Sequence, residues 1–332
     1  MDTLESLMAK KFDVVNRLGG GMIISFCSWI PDLTDILEES IRSIDNIGKE
    51  VGFSYEIIVS GGVRHVSEGE ERHHLMRMFP ELSEVILDHN NVGHGKNVAF
   101  ENSAGKFIIM FDSQTVYNLD LADMIHNFIL SGIKKMVFSP LAIIPRMIIN
   151  EVGRWRELTD GEDIDFYTRV ALSYGILAFP FNGSGKGKGT FTLPSPEYVR
   201  IDGDNFMDRV VHLRDLIIGC NYSLGDLISF LNSGNRKATI KNVALYGAAY
   251  SLSRISAIKP FRFDRNNYLV VLESLLESLV LKEYTRIDTT DMPIRFKMSD
   301  KQISYLREKS KLYSNIKDSI VEYSSVYVSD EA

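Results

Sequence analysis

The sequence predicts an α/β protein: a mostly parallel central sheet with helices on both faces, followed by a helical C-terminal region. Three observations predict it. Short apolar runs of strand type alternate with helix-periodic segments across the first 180 residues, the pattern of βαβ units. Beyond residue 200 the strand-type runs stop and helical periodicity takes over. The chain has 332 residues and is 45% hydrophobic and 24% charged, which suits a folded globular protein with a sizeable core.

The strand-type runs are residues 22–28 (MIISFCS), 55–60 (YEIIVS), 83–87 (SEVIL), 106–111 (KFIIMF) and 135–139 (KMVFS). Between the first two, residues 32–50 place Leu33, Ile36, Leu37, Ile41, Ile44 and Ile47 at three- and four-residue steps, one apolar stripe of a helix. A sheet covered on both faces binds ligands at the carboxyl ends of its strands. Residues 27–31, 60–65, 90–97 and 112–117 are therefore where chemistry is expected. The run 182–190 (NGSGKGKGT) is a loop, either a plain linker or a lid whose Lys186 and Lys188 close over an anion. Pro194 and Pro196 mark the end of a domain spanning 1–200, with its core at about 20–200. The region 201–332 then reads as helices at 204–218, 224–231, 241–258, 268–283 and 299–323.

Charge and cysteine usage exclude several classes. The 37 basic and 44 acidic residues give a net charge of -7, which argues against a dedicated nucleic-acid binder but allows a local basic pocket for phosphates. Cys27 and Cys220 lie in apolar stretches and read as buried free thiols, too few for a zinc quartet. The first fifteen residues, MDTLESLMAKKFDVV, lack the apolar core of a signal peptide, which points to the cytoplasm. No apolar run reaches the length of a membrane span. His73 and His74 read as a solvated helix face, and His94 as a weak ligand contact.

The most informative stretch is 90–112, NNVGHGKNVAFENSAGKFIIMFD, a polar loop leading through a helix into a strand that ends in an acid. Asn91, Gly93, Lys96 and Asn97 have the spacing of a loop-to-helix site where backbone comes close to a ligand. The free N–H groups and positive end of the helix favour an anion there, and Lys96 adds a cation.

This stretch carries a resemblance. Asn-x-Gly-x-x-(Arg/Lys)-Asn, then Ala-Gly-Lys-Phe-Ile and an apolar strand ending in Asp112, resembles the family 2 glycosyltransferases. These have the GT-A (Rossmann-like) nucleotide-diphospho-sugar fold. SFCSWIPDLTDILEESIRSI resembles the family's first strand, turn and helix, with Trp29 at its aromatic position. YEIIVSGG resembles its second strand, and EVGRWRELTDGEDIDFYTRVA its acceptor-side segment. The matches are collinear over roughly residues 20–180, which is more specific than any single motif.

The resemblance implies inverting transfer of a sugar from a nucleotide-diphosphate donor to a hydroxyl of a sugar, glycan or lipid-linked acceptor. Asp163 would be the general base, with Glu162 lining the acceptor site beside it. Asp112 would hold the diphosphate through Mg²⁺ or Mn²⁺. Trp29, Asn91, Gly93, Lys96 and Asn97 would line the donor pocket. The plainer alternative for Glu162, Asp163 and Asp165 is that they only satisfy a helix dipole.

Two departures from the family pattern stand out. Where the family has Asp-x-Asp, this chain has Asp112-Ser113-Gln114. Gln114 is an uncharged, weak metal ligand, and His212 (RVVHLRDL) matches the downstream histidine that often completes such sites. The acid that ends the second strand is replaced by Ser60-Gly61-Gly62-Val63-Arg64, which leaves uridine and guanosine carriers both open. Together these losses raise a second reading, a catalytically degenerate relative that binds carbohydrate or a protein partner. A nucleotidyltransferase fits less well. It would need a glycine-rich basic loop where this chain has Cys27-Ser28-Trp29-Ile30-Pro31. The C-terminal segments mix aromatic and apolar residues with Arg236, Lys237, Lys241, Arg254, Lys259, Arg262 and Arg265. They suit an ordinary helical core or a peripheral membrane contact.

Overall fold

The computed structural model describes residues 21–30, 36–62, 75–87, 91–138, 141–178, 205–233 and 240–259, with 266, 267, 270, 271 and 274. The loop at 182–190, Pro194 and Pro196, the helix at 299–323 and nearly all of the one at 268–283 lie outside these residues, as do Arg64, His65, His73 and His74.

Seven strands form one sheet: β1 (Ile24–Ile30), β2 (Tyr55–Gly62), β3 (Leu82–Leu87), β4 (Phe107–Met110), β5 (Met136–Phe138), β6 (Ala142–Pro145) and β7 (Ile176–Ala178). Their spatial order is β3-β2-β1-β4-β6-β5-β7. β6 runs antiparallel to both β4 and β5, while every other pairing is parallel. The sheet is thus α/β and mostly parallel, with one reversed strand. The chain leaves β1 toward β2 and β3, then crosses back to place β4 on the other side of β1. That reversal opens a crevice at the carboxyl ends of β1 and β4.

Alternation along the strands feeds two cores. On one face Phe26, Ile57, Ile109 and Ile143 pack with α1 (Leu37–Val51) and α3 (Leu121–Ser131). On the other, Cys27, Ile58, Ile108 and Ile144 pack with α2 (Val92–Glu101), α4 (Arg146–Val152) and α5 (Glu162–Ser173). This second core continues into α6 (Phe206–Cys220), α7 (Leu224–Ser233) and α8 (Ile240–Ile255). The stripe Leu37, Ile41, Ile44 and Ile47 is buried, and Gly52 ends α1 in the left-handed region at φ 75°. Cys27 and Cys220 are buried free thiols, each pushed up to about 12 by burial.

Five strands fall within two residues of their expected starts, but β6 and β7 are not expected from the sequence. β6 lies in the unbroken apolar run LAIIPRMII that flows directly into α4, and β7 is only three residues long. Neither gives a clear period to read. Among the described residues no helix is long and apolar enough to cross a membrane.

Candidate active site

The segment around α2 is shaped by what packs on it. Asn91 caps the helix, its side-chain oxygen accepting the His94 N–H at 2.9 Å. A Cβ on Gly93 would sit 1.9 Å from the Arg156 carbonyl oxygen, and one on Gly95 would sit 1.9 Å from Cδ1 of Trp29. Asn97 Nδ2 donates to the Trp155 carbonyl at 2.7 Å. In this structure the glycines admit other parts of the chain, namely the 155–158 segment and the indole of Trp29. Lys96 and Val92 are the residues of this segment that line the cleft.

Lys96 Nζ lies 2.6 Å from Glu162 Oε1 and 2.7 Å from Asp163 Oδ2. The second Asp163 oxygen accepts the Trp155 indole N–H at 3.0 Å. Glu162 and Asp163 open α5 behind Gly161, whose φ of 78° is left-handed. Gly161 meets bare backbone: a Cβ on Gly219 of α6 would lie 2.3 Å from the Gly161 carbonyl oxygen. Burial pushes the Glu162 carboxyl up to about 7, a rise that Lys96 opposes and Asp163 reinforces. Burial works against the charged form of Lys96, but the two carboxylates outweigh it and hold its ammonium above the ordinary lysine range.

One turn into α5, Asp165 is fully buried and paired with Arg156 and Arg169. Arg169 also donates to the carbonyls of Val152, Gly153 and Arg154. This network fixes the course of the 152–156 segment, and with it the indole that touches Asp163.

A cleft of about 340 Å³ lies at the carboxyl edge of the sheet. Trp29 from the end of β1, Lys96, Asp112, Ser113 and Gln114 after β4, and Asp163 form its polar lining. Met110, Phe138, Ala142 and Tyr167 give it an apolar floor. Asp112 and Asp163, 51 positions apart in sequence, therefore face one crevice. Of the residues singled out from sequence, Trp29, Lys96, Asp112, Gln114 and Asp163 line it. Asn91, Gly93, Asn97 and Glu162 stand behind that lining.

The cation question turns on the donor set. Asp112 accepts the Gln114 N–H at 2.9 Å on Oδ1 and the Thr115 hydroxyl at 3.1 Å on Oδ2, which leaves outward lone pairs on an exposed carboxylate. His212 Nδ1 pairs instead with Asp160 Oδ2 at 2.7 Å and is not part of the cleft lining. Among the described residues no three His, Cys, Asp or Glu side chains form a metal-holding group. One carboxylate beside an amide suits a hard cation whose other ligands come from a bound diphosphate, rather than an all-protein cage.

Tyr167 and Trp155 also meet the site, although no motif singles them out. Tyr167 carries a usable signal, since it stands four residues after Asp163 and shares its helix face. Trp155 carries none, because the loop that returns it to Asp163 has no period.

No protein-family model and no curated protein sequence matches the chain. Solved structures do. Staphylococcus aureus TarS 1-349 in complex with UDP-GlcNAc aligns over 88% of this chain and 92% of its own, at 15% identity and TM-score 0.46. TarS 1-349 without that ligand aligns over 88% and 91%, at 15% identity and TM-score 0.47. The mannosyltransferase PcManGT from Pyrobaculum calidifontis, in complex with GDP-Man and Mn²⁺, aligns over 92% and 94%, at 13% identity and TM-score 0.44.

Proposed function

We propose that the protein is a nucleotide-sugar glycosyltransferase of the family 2 type, transferring a hexosyl group with inversion to an acceptor hydroxyl. The observation that carries this reading is the shared crevice: Asp112 and Asp163 line one cleft at the strand-order reversal, with the cationic Lys96 also in its wall.

The donor diphosphate lies toward Asp112, and Trp29 packs near the nucleoside. Asp112, with Gln114, would hold a divalent cation accompanying the diphosphate, which would supply positive charge beside the leaving group. Asp163 takes the proton of the acceptor hydroxyl as its oxygen attacks the anomeric carbon. The bond from that carbon to the diphosphate oxygen breaks, and its electron pair leaves with the nucleotide. A base opposite the leaving group makes this a direct displacement, hence the inversion.

Calorimetric titration with UDP and GDP, with and without Mn²⁺, tests the donor half of the reading. Micromolar binding of one nucleotide that disappears in Asp112→Ala is expected; no binding of either sinks the proposal. For the base, Asp163→Asn should lower kcat for transfer by about 10²–10⁴-fold while nucleotide binding is retained. Wild-type protein that binds donor yet neither transfers nor hydrolyses it would assign the degenerate binding module, the reading that the loss of the second metal acid favours.

A further inference from the structure

Lys96 is placed where one ammonium must choose between two sets of anions. It holds Glu162 and Asp163 at 2.6 and 2.7 Å, and its side chain also lines the cleft shared with Asp112. With the indole N–H of Trp155 on the other oxygen, both oxygens of Asp163 are engaged. A proton delivered to Asp163 in this arrangement lands beside a cation, so the pairing opposes the step the base must perform. A diphosphate in the same cleft competes for that cation, and a lysine is a compact charge on a flexible stem, suited to moving between partners.

We propose that Lys96 is a donor-responsive counter-ion: a diphosphate in the cleft draws its ammonium off Asp163, so that this carboxylate accepts the acceptor's proton only when donor is bound. The proposal rests on the glycosyl-transfer reading above and adds a positioning role for Lys96 and for its second partner, Glu162.

Glu162 is 7% exposed and does not line the cleft. It is faced by Lys96 from α2, by Asp163 and Tyr167 of its own helix, and by Cys220 of α6. The Asp160–His212 pair lies just before that helix. Burial already pushes the Glu162 carboxyl up to about 7 with Lys96 against it. Once the ammonium turns to the diphosphate, two adjacent acids in a mostly buried site do not both stay charged. Glu162 then takes up proton from solvent. Lys96 keeps all its protons throughout, and Asp163 stays free for the proton of the acceptor. Donor binding is thereby coupled to proton uptake at a residue the donor does not touch.

Isothermal calorimetry of the intact protein with UDP-glucose and GDP-mannose, in two buffers of different ionisation heat at neutral pH, tests this. These donors are diphosphodiesters without the phosphate ionisation near neutrality that would mask the signal. Wild-type protein should take up protons from solvent on donor binding, since Glu162, raised by burial but held down by Lys96, gains protonation once that ammonium leaves. Glu162→Gln should bind with heat independent of the buffer. Lys96→Met should do the same with affinity reduced roughly tenfold or more, and it carries the test if the glutamine variant does not fold. Donor binding to wild type with buffer-independent heat, or uptake that persists in the variants, overturns the counter-ion role and leaves glycosyl transfer standing. Failure of both donors to bind wild type overturns the two together.

Discussion

At the scale of single residues, the carboxylates at the start of α5 have different surroundings despite being neighbours. Asp163 faces the cleft, whereas Glu162 is turned into the core and held by Lys96. That burial has a consequence for stability. A carboxyl raised from 4.5 to about 7 on folding keeps its proton longer in the folded state than in the unfolded chain. Its contribution is therefore present at acid pH and is lost as pH rises from about 4.5 through about 7. Urea unfolding midpoints followed across that window should decline more steeply in wild type than in Glu162→Gln. Identical pH profiles would show that Glu162 is not the buried acid described here. The Glu-Asp pair was legible in the sequence, because GED before an apolar helix is a local pattern. The difference between its two members was not, because it depends on Lys96, which lies 66 positions away from Glu162.

Among the elements, the segment between α4 and α5 does the most to shape the site while showing the least in the sequence. Its course is set by Asp165, buried between Arg156 and Arg169, whose guanidinium groups burial pulls down to about 10. Replacing this one acid strands two largely buried cations. Asp165→Asn should lower stability by about 3–5 kcal/mol in urea unfolding, and it should shift the emission of Trp155 as the segment loosens. A loss under about 1 kcal/mol would mean that the arginines find other partners. The strands show the same contrast between local and long-range information. β1 to β5 announce themselves as bounded apolar runs, but β6 needs β4 and β5 on either side before its four residues become a strand. A reversed strand inserted between parallel ones is a tertiary fact, and no period within the AIIP tetrapeptide encodes it.

For the whole molecule, the change of character near residue 200 was readable, but its meaning for packing was not. The helices that follow share one core with the sheet: Val210, Leu213, Leu216 and Ile217 of α6 and Leu245 and Ala249 of α8 pack with Ile148, Ile164, Phe166 and Val170. A chain ending at residue 204 would leave that surface bare. Such a fragment should lose the cooperative urea transition of the full chain and bind ANS strongly. A fragment with a sharp transition and intact nucleotide binding would instead make the two regions separable.

The touching glycines, Gly161 and Gly219, set how closely α6 can approach the start of α5. Their main chains meet with no side chain between them, and a Cβ on Gly219 would lie 2.3 Å from the Gly161 carbonyl oxygen, so any larger residue there would push α6 off the start of α5. The acidic wall of the crevice is therefore backed by bare main chain. Trp29 is braced in the same way from the other side, its indole lying where a Cβ on Gly95 would have to go.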